Sequence, residues 1–198
     1  MLAFGAGALI SAVSIELAEE GVRVGGLAWT ALGLGVGAVT YFALDGALER
    51  RSAGADTGAA LALGAFLDGV PEQLVLGIGL AAGDGVGIGL LVAIFVSNLP
   101  EAIGSASAME AAGASRRRIL LLWVGVALTC AAATVLGFAL ADAAASELRA
   151  AIDGFAAGAL LVMLIDSMIP EARTGAGRVA GLVTVLGFAV AVALSAVS

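Results

Sequence analysis

Apolar residues fill most of this chain in long stretches parted by short polar breaks. Stretches of this kind that reach ~20 residues are long enough to cross a bilayer core of about 30 Å as helices. Read between the breaks, the sequence predicts seven spans, at roughly 1–20, 25–48, 58–82, 85–112, 117–141, 147–172 and 177–197. The third, fourth and sixth are interrupted by acids and prolines: Asp68, Pro71 and Glu72, then Pro100 and Glu101, then Asp166 and Pro170. Span one starts at Met1 without a basic segment and ends on Glu16, Glu19 and Glu20, so it does not read as a cleavable leader.

Composition turns the pattern into a class. Hydrophobic residues make up 61% of the chain and charged ones 13%, about half the charge density of a soluble domain. The 16 acids and 9 basic residues, all arginine, cannot cover a soluble core of this size. Lipid has to be the solvent, so disorder and nucleic-acid binding are excluded. With 29 glycines and 5% aromatics, the spans suit helices that approach one another closely in a bilayer. A lone Cys130 excludes a disulfide framework and a cysteine metal cluster.

Arginine placement orients the spans. Arg50, Arg51, Arg116, Arg117, Arg118, Arg173 and Arg178 fall in the second-to-third, fourth-to-fifth and sixth-to-seventh connections. Arg23 and Arg149 alone fall in the others. By the positive-inside rule the arginine-rich connections are cytoplasmic and the carboxyl terminus lies outside. Trp29 and Trp123 sit near span ends, as interfacial anchors do.

The chain also resembles itself. Phe4, Ala6, Gly7, Ala8, Leu9 and Glu20 of the first span match Phe155, Ala157, Gly158, Ala159, Leu160 and Glu171 of the sixth. Thr30, Leu32 and Gly33 echo Thr184, Leu186 and Gly187 more faintly. In the orientation just derived, the members of each pair cross in opposite directions. Inverted repeats with polar interruptions at their centre are the pattern of a secondary transporter, with its site near the midplane.

The central polar residues are Asp68-Gly69-Val70-Pro71-Glu72 and Ser97-Asn98-Leu99-Pro100-Glu101. Spacing of four places Asp68 with Glu72, and Ser97 with Glu101, on one helical face. Each proline removes an N–H and frees a carbonyl one turn earlier, that of Leu67 or Val96. Carboxylates at bilayer depth cost several kcal/mol and face a water path or a partner. With no lysine or histidine in the chain and every arginine near a span end, a metal ion is the natural counter-charge. Two other readings of the same residues stay open: protonated carboxyls hydrogen-bonded as helix glue, and a proton relay without metal. An intramembrane hydrolase using Ser97 would have only a carboxylate as base, so no enzyme is expected.

These two motifs make the chain resemble the ZIP (Zrt/Irt-like) family of divalent-metal transporters, whose fourth and fifth helices carry His-Asn-x-Pro-Glu-type motifs. The likeness extends to Phe4-Gly5-Ala6-Gly7-Ala8 with Glu16 and Glu20, and to Phe155-Ala156-Ala157-Gly158-Ala159 with Pro170-Glu171. These are similar to the family's second and seventh helices. The resemblance implies an all-α polytopic membrane protein, a single transmembrane domain over 1–198, and seven transmembrane helices in an inverted-repeat ZIP-like bundle that correspond to the family's helices two to eight, the usual first helix being absent from this sequence.

It further implies a metal site of Asp68, Glu72, Ser97 and Glu101, with an adjoining one at Gly69 and Asn98 that shares both glutamates. Asp68 and Ser97 stand where the family has histidines, Gly69 where it has asparagine, and the fifth span offers no acid to complete the second site. An oxygen-only site favours harder ions such as manganese, magnesium or iron(II) over zinc. Glu16, Glu20, Asp166 and Glu171 are candidates for an entrance or pathway, or for helix caps. Asp45, Glu49, Asp56, Asp84, Asp142 and Asp153 read as solvated loops and ends.

The expected function is alternating-access transport of zinc, manganese, iron(II) or a similar ion toward the cytoplasm across a plasma or inner membrane. No cofactor is expected beyond the transported ion. The expected partners are divalent metal ions, the lipid bilayer and a second copy in a homodimer, with no nucleic acid. The alternative is a non-transporting ZIP-like sensor or scaffold whose metal site has decayed.

Overall fold

The computed structural model describes residues 1–52, 57–81 and 88–196. The described chain is almost entirely helical. Helix α1 spans Leu2–Gly25, α2 Leu27–Ser52, α3 Thr57–Ala81, α4 Ile88–Ala111 and α5 Arg116–Ala143. Helix α6 covers residues 146–176, and α7 follows at Ala180–Ser195 after a short 3-10 turn at Gly177–Val179. Gly26, at φ 91°, and Gly177, at φ 58°, make the sharp turns that other residues resist.

Helix α1 runs five residues past the expected end at 20, with Glu20 and Arg23 paired along its last turns, and stops where Gly26 takes a positive φ. Both α3 and α4 run through Pro71 and Pro100 without ending. The irregular turns lie elsewhere. Helix α1 widens to π geometry at Ala12–Glu19 and α6 at Leu164–Met168. Offset by 151, the second stretch falls inside the first.

Among the described residues, Leu2–Gly25, Leu27–Ala47, Arg116–Ala141 and Ser146–Ser195 are long and apolar enough to cross a membrane. Their outward faces are greasy. Leu120, Leu121, Val124, Leu128 and Val135 project from α5, and Leu182, Val185 and Leu186 from α7. Exposed apolar residues in such number mark faces that meet lipid or another protein.

Glycines decide which helices touch. A Cβ on Gly7 would lie 1.8 Å from the Thr184 carbonyl oxygen, and one on Gly187 2.0 Å from that of Phe4. Gly33 and Gly37 meet the carbonyls of Ala151 and Phe155, while Gly154 and Gly158 meet those of Thr30 and Leu34. Gly77 meets Thr134 and Gly137 meets Leu74 in the same way. Backbone thus lies directly on backbone in three pairs, α1 with α7, α2 with α6, and α3 with α5. Gly33 and Gly37 step with Ala151 and Phe155, Gly69 and Gln73 with Cys130 and Thr134, and Gly7 and Glu16 with Thr184 and Ser195, so the paired helices are parallel. Helices α1 and α6 run oppositely, since Gly21 sits against Asp153 while Gly25 sits against Ser146.

The core between these seams is built from Leu9, Val13 and Leu17 of α1, Leu160, Met163 and Leu164 of α6, and Val75 and Ile78 of α3. Ile94 of α4 and Tyr41 of α2 join it. This places the middle of α3 at the centre of the molecule.

Candidate functional site

Glu72 lies on the inner face of α3, one turn before Val75, and is only 1% exposed. Burying a carboxylate here costs several kcal/mol unless charged or polar groups answer it. One answer comes from α4. Asn98 Nδ2 donates to Glu72 Oε2, and also to the Ile94 carbonyl one turn earlier at 3.0 Å. The second bond holds the amide against its own helix, so Asn98 is already aimed when it meets the carboxylate. Residues of the two Pro-Glu motifs therefore meet across the α3–α4 interface.

Asp68 stands one turn before Glu72 along α3, and Ser97 and Glu101 flank Asn98 along α4. The side chains of these three lie outside the described residues. Among the described residues no group of three or more His, Cys, Asp or Glu side chains converges.

The third wall of this region is α5. Thr134 Oγ1 donates to Gln73 Oε1 at 3.0 Å, in the same parallel register that sets Gly77 against Thr134. One turn earlier in that register, Cys130 Sγ lies 3.1 Å from where a Cβ on Gly69 would be. The register was invisible in the sequence, and with it the fact that Cys130 faces the motif.

The four pathway candidates divide into two ends. Glu16 is half-buried and its Oε1 accepts from Ser195 Oγ at 2.9 Å, tying α1 to the end of α7. Glu20 forms an ion pair with Arg23 at 2.6 Å. At the opposite end, Asp166 lines a cavity of about 500 Å³ with Phe42, Asp45, Gly46, Ser167 and Pro170. Glu171 is exposed one turn beyond it. Asp56 and Asp84 lie outside the described residues, as do the side chains of Glu49 and Asp142.

The structure corrects the reading of Asp153 as a solvated end. Its side chain is 1% exposed, wedged where α6 meets Gly21 of α1, and neither carboxylate oxygen has a hydrogen-bond partner. Arg149 Nε, one turn away, is buried and unpartnered too. The sequence reading failed because the α1–α6 contact closes over that turn, and spacing along the chain does not show such a contact. Asp153→Asn is expected to stabilise the protein by about 1 kcal/mol or more, since an amide costs less to bury than an unanswered carboxylate. Thermal melting in detergent checks this, and a lower melting temperature would instead show an ion pair with Arg149.

Comparison with known families settles the class. A family model described as ZIP zinc transporter matches residues 44–195, a stretch that contains both Pro-Glu motifs. The chain belongs to the ZIP zinc transporter family. Among curated proteins, none matches it. Membership makes the chain a membrane-embedded helical metal transporter of divalent ions, and places it among transporters rather than enzymes.

Proposed function

We propose that the chain carries a divalent cation across a plasma or inner membrane toward the cytoplasm, using a site on α3 and α4. Glu72 is the central ligand in this reading, Asp68 and Glu101 supply the other carboxylates, and Ser97 and Asn98 supply neutral oxygens. The observation that carries it is the buried Glu72 carboxylate held by Asn98 from the neighbouring helix. Turning the Asn98 amide would replace its two N–H donations with a carbonyl oxygen facing the ion. Closing the site on a cation thus trades hydrogen bonds for metal–oxygen bonds at small structural cost.

The same proposal holds that seven spans form an inverted repeat with the carboxyl terminus outside, in a single domain that pairs as a homodimer. Support for the repeat comes from α1 and α6, which run oppositely and both widen to π geometry at matching positions. The seams agree as well. Gly7 on the Thr184 carbonyl, with Gly187 on that of Phe4, has its counterpart in Gly158 on Leu34, with Gly37 on Phe155. These seams set Leu34 and Gly37 in the places of Thr184 and Gly187, one turn beyond the Thr30 and Gly33 of the faint sequence match.

The test is uptake. Purified protein in liposomes loaded with a metal-sensitive dye is expected to give saturable influx of zinc or manganese above that of protein-free liposomes. Correctly inserted protein with no influx of any divalent ion would leave the non-transporting scaffold in its place.

A further inference from the structure

We propose that the cavity between the end of α6 and the start of α7 is a phosphate site, and that an anionic phospholipid of the adjoining leaflet fills it. Its ligands are Arg173 and Arg178, which both line a cavity of about 450 Å³. Along an unbroken helix, residues with this spacing would point about 140° apart. The chain breaks between them instead. Gly177, at φ 58°, ends α6 and brings Arg178 to the same cavity as Arg173. Ala172, Gly177, Ala180 and Gly181 line that cavity with little or no side chain. A Cβ on Gly177 or Gly181 would have nothing within 4 Å, so space is left beside both arginines.

Neither arginine side chain has an ion-pair or hydrogen-bond partner among the described residues, and no described acid lines the cavity. Other arginines are answered within the protein: Arg23 pairs with Glu20, and Arg50 donates to the Gly46 carbonyl. Two unanswered guanidinium groups on one cavity repel each other, and an anion between them turns that repulsion into attraction. Their forked N–H groups match phosphate oxygens two at a time. The same charge repels divalent cations, so this site is separate from the ion site on α3 and α4.

Position favours lipid as the source of the phosphate. Gly181 shares a face of α7 with Val185, one turn further into the span, and Leu182, Val185 and Leu186 are all exposed there. A lipid whose phosphate sits between the arginines can therefore lay an acyl chain along α7. Basic pockets at the ends of membrane helices hold anionic headgroups in this way.

Full-length protein in detergent, titrated with short-chain phosphatidylglycerol or phosphatidylcholine and followed by native mass spectrometry, tests this. Phosphatidylglycerol is expected to bind at least about tenfold tighter. Arg173→Gln combined with Arg178→Gln should bring the two lipids within about threefold of each other. Arg116→Gln combined with Arg117→Gln removes the same charge from another connection and should keep the preference. Gly181→Leu leaves both arginines in place and fills the cavity; it should also lose the preference, and it guards against a double variant that misfolds. Inorganic phosphate at the concentration of the lipid should not displace phosphatidylglycerol.

Equal binding of the two lipids to the unmutated protein would overturn the proposal. A preference that survives in Gly181→Leu would also overturn it, because surface charge without a pocket would then suffice. Displacement by inorganic phosphate would replace the lipid with a soluble anion and sink the lipid assignment. Each of these results leaves the metal-carrier reading standing.

Discussion

Glu72→Gln is expected to lower metal uptake into liposomes by at least about 100-fold, since removing even an outer partner of a metal ligand costs about 10- to 100-fold. The substitution keeps the shape of the side chain and leaves an amide able to meet Asn98, so the helices should stay packed. It removes a charge from a position that is 1% exposed, and the melting temperature is therefore expected to hold or rise. Loss of transport without loss of stability is the signature of a ligand. Asn98→Ala should cost less, about tenfold, because it removes one neutral contact and the restraint on the carboxylate. In the unmutated protein affinity should fall as pH falls, because protons and metal compete for the same carboxylates and binding releases protons. Unchanged uptake in Glu72→Gln would remove the α3–α4 site from the mechanism.

Adding one methyl group at a helix seam is expected to be nearly as damaging to the fold. Gly7→Ala, Gly77→Ala and Gly154→Ala would each place a Cβ 1.8–2.1 Å from a carbonyl oxygen of the partner helix. Those oxygens belong to backbone in regular helix and cannot rotate away, so the helices must separate. A loss of about 2–3 kcal/mol or more is expected for each, at the upper end of overpacking costs. Gly35→Ala and Gly79→Ala are the controls, since nothing lies within 4 Å of a Cβ at either site. They should raise stability by up to about 1 kcal/mol through helix propensity. Unfolding in mixed detergent micelles, followed by circular dichroism, would compare all five. Equal effects at the two kinds of glycine would mean that the seams do not hold the bundle.

Glycine shows how far composition reaches. That 29 glycines in apolar spans mean close helix contacts follows from composition alone. Which glycine meets which helix does not follow, for Gly33 and Gly35 differ by two positions and only Gly33 faces a neighbour. Asp153 makes the same point for charge: its place in the chain suggests a solvated end, and its burial depends on Gly21, more than a hundred residues away, closing over it.

The amino-acid sequence by itself determined the solvent, the helical class, the family resemblance and the two Pro-Glu motifs. These depend on hydrophobicity and spacing along the chain, and both are properties of neighbours in sequence. Tertiary structure alone decided that Glu72 meets Asn98, that α5 brings Cys130 to Gly69, and that the long pairs α1 with α7, α2 with α6 and α3 with α5 run parallel. Such contacts join residues 26 to about 180 positions apart. No local pattern encodes them, because they arise only when carbonyls and glycines on separate helices find a register in which backbone can lie on backbone.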